Sequence, residues 1–251
     1  MHQLWFTRWL NALFARPADA LLRLLHVAPA HPAAPIPNHV AMEILAALII
    51  ALFAVWIRPR LSVDKPGAWQ HILELLWTGI ESQAEEVIGH DAQRFLGFLM
   101  TLAVLILVGN LMGLIPGLAA PTAQITVPLG CALVTFVYYH MQGIRRQGWL
   151  SYGKTFLGPI PLLAFLMLPI ELISHLARIL SLSVRLFANM FAGDMIIQIM
   201  MALFPLAGVV FMTFHFFIAL LQAYIFVLLA MIYLAGAVES HHGPAEEAAV
   251  A

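Results

Sequence analysis

Residues 181–194 read SLSVRLFANMFAGD, and the stretch places an arginine, Arg185, in a long apolar run. From 156 to 238 the only other charged residues are Glu171, Arg178 and Asp194. An arginine side chain keeps its charge in any protein environment. A run that is apolar over so great a length has lipid as its solvent, and a fixed cation inside it is a functional hypothesis by default. Working outward, the whole chain follows the same pattern. Of 251 residues, 62% are hydrophobic and 10% charged, against roughly 25% charged in soluble domains. The expected class is an all-α integral membrane protein. The net charge of −1 gives no basis for nucleic-acid binding. The single Cys131 excludes an intrachain disulfide.

A bilayer core of about 30 Å needs about 20 apolar residues in a helix. Five stretches qualify as expected membrane helices: 39–57, 95–115, 123–139, and two within 156–237 separated by FPLAG at 204–208. Residues 67–88 carry Glu74, Glu81, Glu85 and Glu86 among leucines and isoleucines and read as an amphipathic surface helix. The fourth membrane helix, 170–203, is 34 residues long, roughly 51 Å at 1.5 Å per residue. It either breaks, with Pro169 and Gly193 as weak points, or tilts well beyond the usual ~20°. A strongly tilted helix that turns at Pro205 and returns as 209–237 is the favoured form.

Residues 1–38 form an N-terminal extension, an amphipathic segment followed by a stiff linker with Pro29, Pro32, Pro35 and Pro37. Residues 39–238 form the membrane domain, and 239–251, with His241 and His242, a solvated tail. Arg58, Arg60, Lys65 and Arg94 follow the first span, and Arg145, Arg146 and Lys154 the third. Positively charged loops stay in the cytoplasm, so the N-terminus is expected outside and the C-terminus inside.

At 100° per residue, Glu171, His175, Arg178, Leu182, Arg185 and Asn189 fall within about 40° of one line on the fourth helix. Ser174 and Ser181 flank it, and Asp194 lies about 140° round. On the fifth helix His215, Gln222 and Tyr233 align. The bland readings are interhelical hydrogen bonds for His215 and Gln222, backbone bonds for Ser174 and Ser181, and a Glu171–Arg178 pair. Glu171 and His175 are two ligands without a third, so no metal or cofactor is expected. Arg185 resists such readings. It lies roughly 10 Å deeper than Arg178 with no acid in the sequence that clearly neutralises it, which points to a partner on another chain.

SLSVRLFANMFAGD resembles the arginine motif of subunit a of the F-type rotary ATP synthase. PIELISHLARIL before it and LQAYIFVLLAMIYLAGAVESHH after it extend the likeness, as do VGNLMGLIPG and APTAQITVPL. Ala188 replaces the usual glycine, Ile179 stands where proline is common, and Asp194 replaces a glutamate. The resemblance implies a proton-translocating stator subunit in a bacterial inner membrane, not an enzyme on its own. Its implied partners are the subunit c ring, the subunit b peripheral stalk and the rest of the complex. It implies that Arg185 is the essential arginine that discharges a carboxyl on the ring. It implies two half-channels; since the fourth helix is expected to enter from the cytoplasm, Asn189, Asp194, His215 and Gln222 are expected at the outer one and Glu171, Ser174, His175 and Ser181 at the cytoplasmic one, with Arg178 at the interface. One rival is a secondary transporter using Arg185 for a substrate carboxylate, which favours internal repeats; none is evident. An intramembrane metallopeptidase fails because AEEVIGH and HVAME lack the H-E-x-x-H spacing.

Overall fold

The computed structural model describes residues 4–24, 35–63, 65–89, 91–115, 117–155 and 164–238. The 239–251 tail, with His241 and His242, and the linker residues Pro29 and Pro32 lie outside them. The described residues form eight α-helices: α1 (Trp5–Leu24), α2 (Asn38–Ile57), α3 (Ala68–Ile88), α4 (Leu96–Met112), α5 (Thr126–Gln147), α6 (Trp149–Thr155), α7 (Ala164–Leu203) and α8 (Pro205–Val238). No strand occurs among the described residues.

Helix α1 is amphipathic: Phe6 and Leu10 are buried against α2, while Trp5, Trp9 and Leu13 are exposed. Asn11 fastens the end of the linker to it. Its Nδ2 donates to the carbonyls of Thr7 and Ile36 at 3.1 and 3.0 Å, and its Oδ1 accepts from the Ile36 amide at 3.0 Å. Helix α3 turns Ile80 and Ala84 inward and leaves Glu74, Glu85 and Glu86 exposed, as its pattern predicts. It is tied to α8 by the Tyr224 hydroxyl, which donates to Gln83 Oε1 at 2.8 Å.

Three helical stretches among the described residues are long and apolar enough to cross a membrane: Asn38–Arg60, Met167–Leu203 and Pro205–Val238. Helix α4 is apolar but only 17 residues long, roughly 26 Å. Helix α5 has 22 residues but ends in QGIRRQ. Both overlap expected spans, and α5 runs on to Gln147 because Gly148, at φ 81°, is the first residue to leave right-handed geometry. The short α6 has no counterpart in the hydropathy pattern.

Helix α7 begins at Ala164 rather than 170 and runs unbroken for 40 residues, with Pro169 inside it. Pro169 removes one backbone donor near the helix start, where the rest of a long ladder carries the turn across. Gly193 does not break it either. Only Phe204 separates α7 from α8, and α8 opens on Pro205, whose fixed φ suits the first helical position. The two helices approach closely at this turn. A Cβ on Gly208 would lie 2.4 Å from the Met201 sulfur, so any larger residue must push Met201 aside. The core is built around the second half of α8, where Phe226, Val227, Ala230, Met231 and Leu234 are buried among α3, α4, α5 and α7.

Candidate functional site

The polar line on α7 lies along the edge of that helix's buried face. His175, Ile179, Leu182, Leu186 and Met190 trace the inward strip, which centres about 60° round from the polar line at 100° per residue. His175 and Leu182 fall on the inward side and are buried. Arg185 and Asn189 fall on the outward side and are exposed. Sequence spacing thus aligned six residues that packing divides. Among the described residues Arg185 has neither a hydrogen-bond nor an ion-pair partner.

Beyond Arg185, the expected outer group forms two pairs across α7 and α8. Asn189 Nδ2 donates to Gln222 Oε1 at 2.7 Å. His215 Nε2 lies 3.4 Å from Asp194 Oδ1, with the histidine side chain 2% exposed and the aspartate 18%. This is ion-pair distance without hydrogen-bond alignment, and both His215 nitrogens lack a hydrogen-bond partner. Gly193 explains why the imidazole fits. A Cβ there would sit 2.0 Å from His215 Nδ1, so the ring lies directly on the backbone of α7. The spacing marks Gly193 as a weak point in a helix; in the fold it is a seat for a side chain.

Asn110 of α4 joins this group, though sequence reasoning gave it no role. It is wholly buried, and its Nδ2 donates to the Ala219 carbonyl at 3.1 Å. Its Oδ1, the Thr122 hydroxyl and Gln222 Nε2 are all buried without a hydrogen-bond partner. A buried polar group left unpaired costs about 1–3 kcal/mol. Several together on α4, α8 and the turn between α4 and α5 mark a polar seam through an apolar bundle. An asparagine within VGNLMGLIPG was the available signal.

Before Arg185 the environment is different. Glu171 Oε1 lies 3.3 Å from His175 Nε2. The expected Glu171–Arg178 pair is replaced by this contact, because Arg178 turns toward α8 and stands 5.3 Å from the Tyr233 ring centroid. His175 Nδ1 shares a 3.1 Å hydrogen bond with the Tyr139 hydroxyl of α5. His140 Nδ1 shares one of 2.6 Å with the Tyr152 hydroxyl of α6. Burial pushes the Tyr152 hydroxyl up to about 12, which keeps it protonated. Ser174 is half-buried and Ser181 exposed. The backbone bond expected of them is made instead by Ser183, whose hydroxyl donates to the Ile179 carbonyl at 2.8 Å.

Residues 40–235 match the family described as ATP synthase A chain. The chain belongs to that family. It is similar to ATP synthase subunit a of Koribacter versatilis, 51% identical over 242 residues that cover 96% of this chain and 99% of the relative. The subunit a of Solibacter usitatus is 47% identical, covering 92% and 99%. That of Campylobacter jejuni (strain RM1221) is 39% identical, covering 82% and 90%. Membership, with the long apolar helices, makes this an integral membrane protein of bacteria. It belongs to the membrane sector in which ion transport serves ATP synthesis.

Proposed function

We propose that this chain is the proton-translocating stator subunit of an F-type ATP synthase, and that Arg185 couples proton flow to rotation of a subunit c ring. One observation carries the reading. Arg185 stands exposed on α7 and has no hydrogen-bond or ion-pair partner among the described residues. A fixed cation at membrane depth costs from about 3 to well over 10 kcal/mol unless it is paired. A carboxylate on a neighbouring ring supplies the missing partner.

The mechanism follows from charge. Facing lipid, a ring carboxyl must be neutral. Beside Arg185 it is favoured as an anion. Each ring site therefore loses its proton as it reaches Arg185 and takes up another only after moving on. The same fixed charge repels a proton running straight past. Asn189, Asp194, His215 and Gln222 serve the outer half-channel, where the 3.4 Å Asp194–His215 contact is the relay. Glu171, Ser174, His175 and Ser181 serve the cytoplasmic half-channel. One charge crossing 100 mV carries about 2.3 kcal/mol, so several crossings per ATP are required, as a many-sited ring provides.

In this reading α2, α4, α5, α7 and α8 cross the membrane, with α7 and α8 as a tilted hairpin and α3 on the cytoplasmic surface. The N-terminus is outside, the C-terminus inside, and a peripheral stalk of subunit b holds the assembly. The length of α7, roughly 60 Å over its 40 residues, supports a steep tilt. A secondary transporter, the rival reading, is expected to have helices interrupted at its binding site; α7 is continuous through Arg185. The test is Arg185→Ala in the whole complex, reconstituted in sealed vesicles. The complex should assemble, and ion-driven ATP synthesis should vanish. Synthesis at the parental rate would refute the role.

A further inference from the structure

The contacts of His175 reach beyond α7. Its Nδ1 meets the Tyr139 hydroxyl at 3.1 Å, and its Nε2 faces Glu171 Oε1 at 3.3 Å. Tyr139 is 2% exposed and the Glu171 side chain 38% exposed. The three groups thus run from the bundle interior to its surface. At the inner end, Tyr139 borders a narrow cleft shared with Thr135, Arg178, Leu182 and Tyr233, with room for about one water molecule. Leu182, on the cleft wall, is one helical turn before Arg185 on α7. Phe136 and His140 pack against the His175 ring, with centroids 6.0 and 4.7 Å away, and Tyr152 holds His140. The imidazole lies between its two polar neighbours.

We propose that Tyr139, His175 and Glu171 form a proton wire that carries the ion from the cleft beside Tyr139 to the cytoplasmic surface. The inference rests on the subunit a reading above and adds a residue of α5 to a path otherwise confined to α7. Each step is balanced. A proton from the cleft water joins the Tyr139 oxygen as that hydroxyl gives its own proton to His175 Nδ1. The imidazolium releases its Nε2 proton to the Glu171 carboxylate, and Glu171 releases a proton to water. One proton enters and one leaves. A rotation of the hydroxyl and a half-turn of the imidazole about its Cβ–Cγ bond, which carries the Nδ1 proton away from Tyr139, reset the chain. The His140–Tyr152 pair is a positioning device that keeps the ring in line.

The experiment uses the whole complex in membrane vesicles, then the same vesicles stripped of the soluble catalytic head to measure passive proton conduction. Tyr139→Phe removes one oxygen and leaves the ring packed, and should lower conduction about a hundredfold, the smaller end of what a lost acid–base group removes. His175→Ala should lower it at least as far, and imidazole added on the cytoplasmic side should restore part of it. A purely structural histidine gives no such rescue. Conduction at the parental rate in Tyr139→Phe overturns the wire, as does a His175→Ala defect that imidazole leaves untouched. Arg185→Ala is run alongside. If that variant loses coupled synthesis while Tyr139→Phe conducts normally, the wire alone fails. If Arg185→Ala synthesises normally, the subunit a reading itself fails.

Discussion

Helices α7 and α8 are consecutive, apolar and similar in length, yet they sit differently in the molecule. In their most membrane-like stretches, 44% of α8 is buried and only 11% of α7. Helix α8 sinks its second half among four other helices. Helix α7 lays one narrow strip against α5 and α8 and leaves Leu172, Leu176, Leu180, Val184 and Phe191 exposed beside Arg185. Exposed leucine needs no explanation where the solvent is lipid. An exposed arginine among those leucines does. The contrast separates a helix that holds the bundle together from one that presents a charge, and it supports the proposal that α7 faces a moving partner.

The comparison can be broken in several places. The largest effect is expected from Arg185→Ala on the open side of α7, with complete loss of ion-driven synthesis and an assembled complex recovered in normal yield. Asp194→Asn comes next. It keeps the shape of the contact with His215 and removes its charge, so proton access from the outer side should slow by about tenfold or more, measured as proton uptake by vesicles, while assembly is retained. Unchanged uptake would remove Asp194 from the path. Gly193→Ala tests the α7–α8 contact itself. The added methyl meets the His215 ring, and such overpacking costs about 1–3 kcal/mol, read as a lower unfolding midpoint in detergent. Paired with His215→Ala, the penalty should largely disappear, since the two changes share one contact. Asn189→Ala loses one hydrogen bond to Gln222, a change of about 0.5–1.5 kcal/mol by the same assay. Gly236→Ala is the smallest. A Cβ there meets nothing within 4 Å, and replacing a helical glycine should stabilise by about 0.4–1 kcal/mol.

Much of the site was legible before any coordinates. Arg185 is conspicuous because charge is scarce around it, and Asp194 and His215 stand out for the same reason. The three-residue and four-residue spacings put them on helix faces. What the spacing could not supply was the direction of the inward face. The polar line drawn at 100° per residue includes Leu182, which is buried, and Asn189, which is exposed, because periodicity fixes relative angles and leaves the origin free. The supposed Glu171–Arg178 pair failed for a related reason. Seven residues apart is close on a helix, but Arg178 found an aromatic ring on α8 and Glu171 an imidazole one turn away. The meeting of Tyr139, His140 and Tyr152 with His175 was invisible, since α5 and α6 reach α7 only through the fold.

The sequence by itself determined that this chain is helical, that apolar helices dominate it, and that one permanent cation lies in the apolar run. Those follow from composition and from the period of the α-helix, which are properties of neighbouring residues. Only the tertiary structure decided that Arg185 faces outward without a partner among the described residues, that Gly193 is the seat of His215, and that a tyrosine of α5 touches His175. Those depend on how helices distant in sequence pack, and packing is set by the shapes of surfaces that no single segment contains.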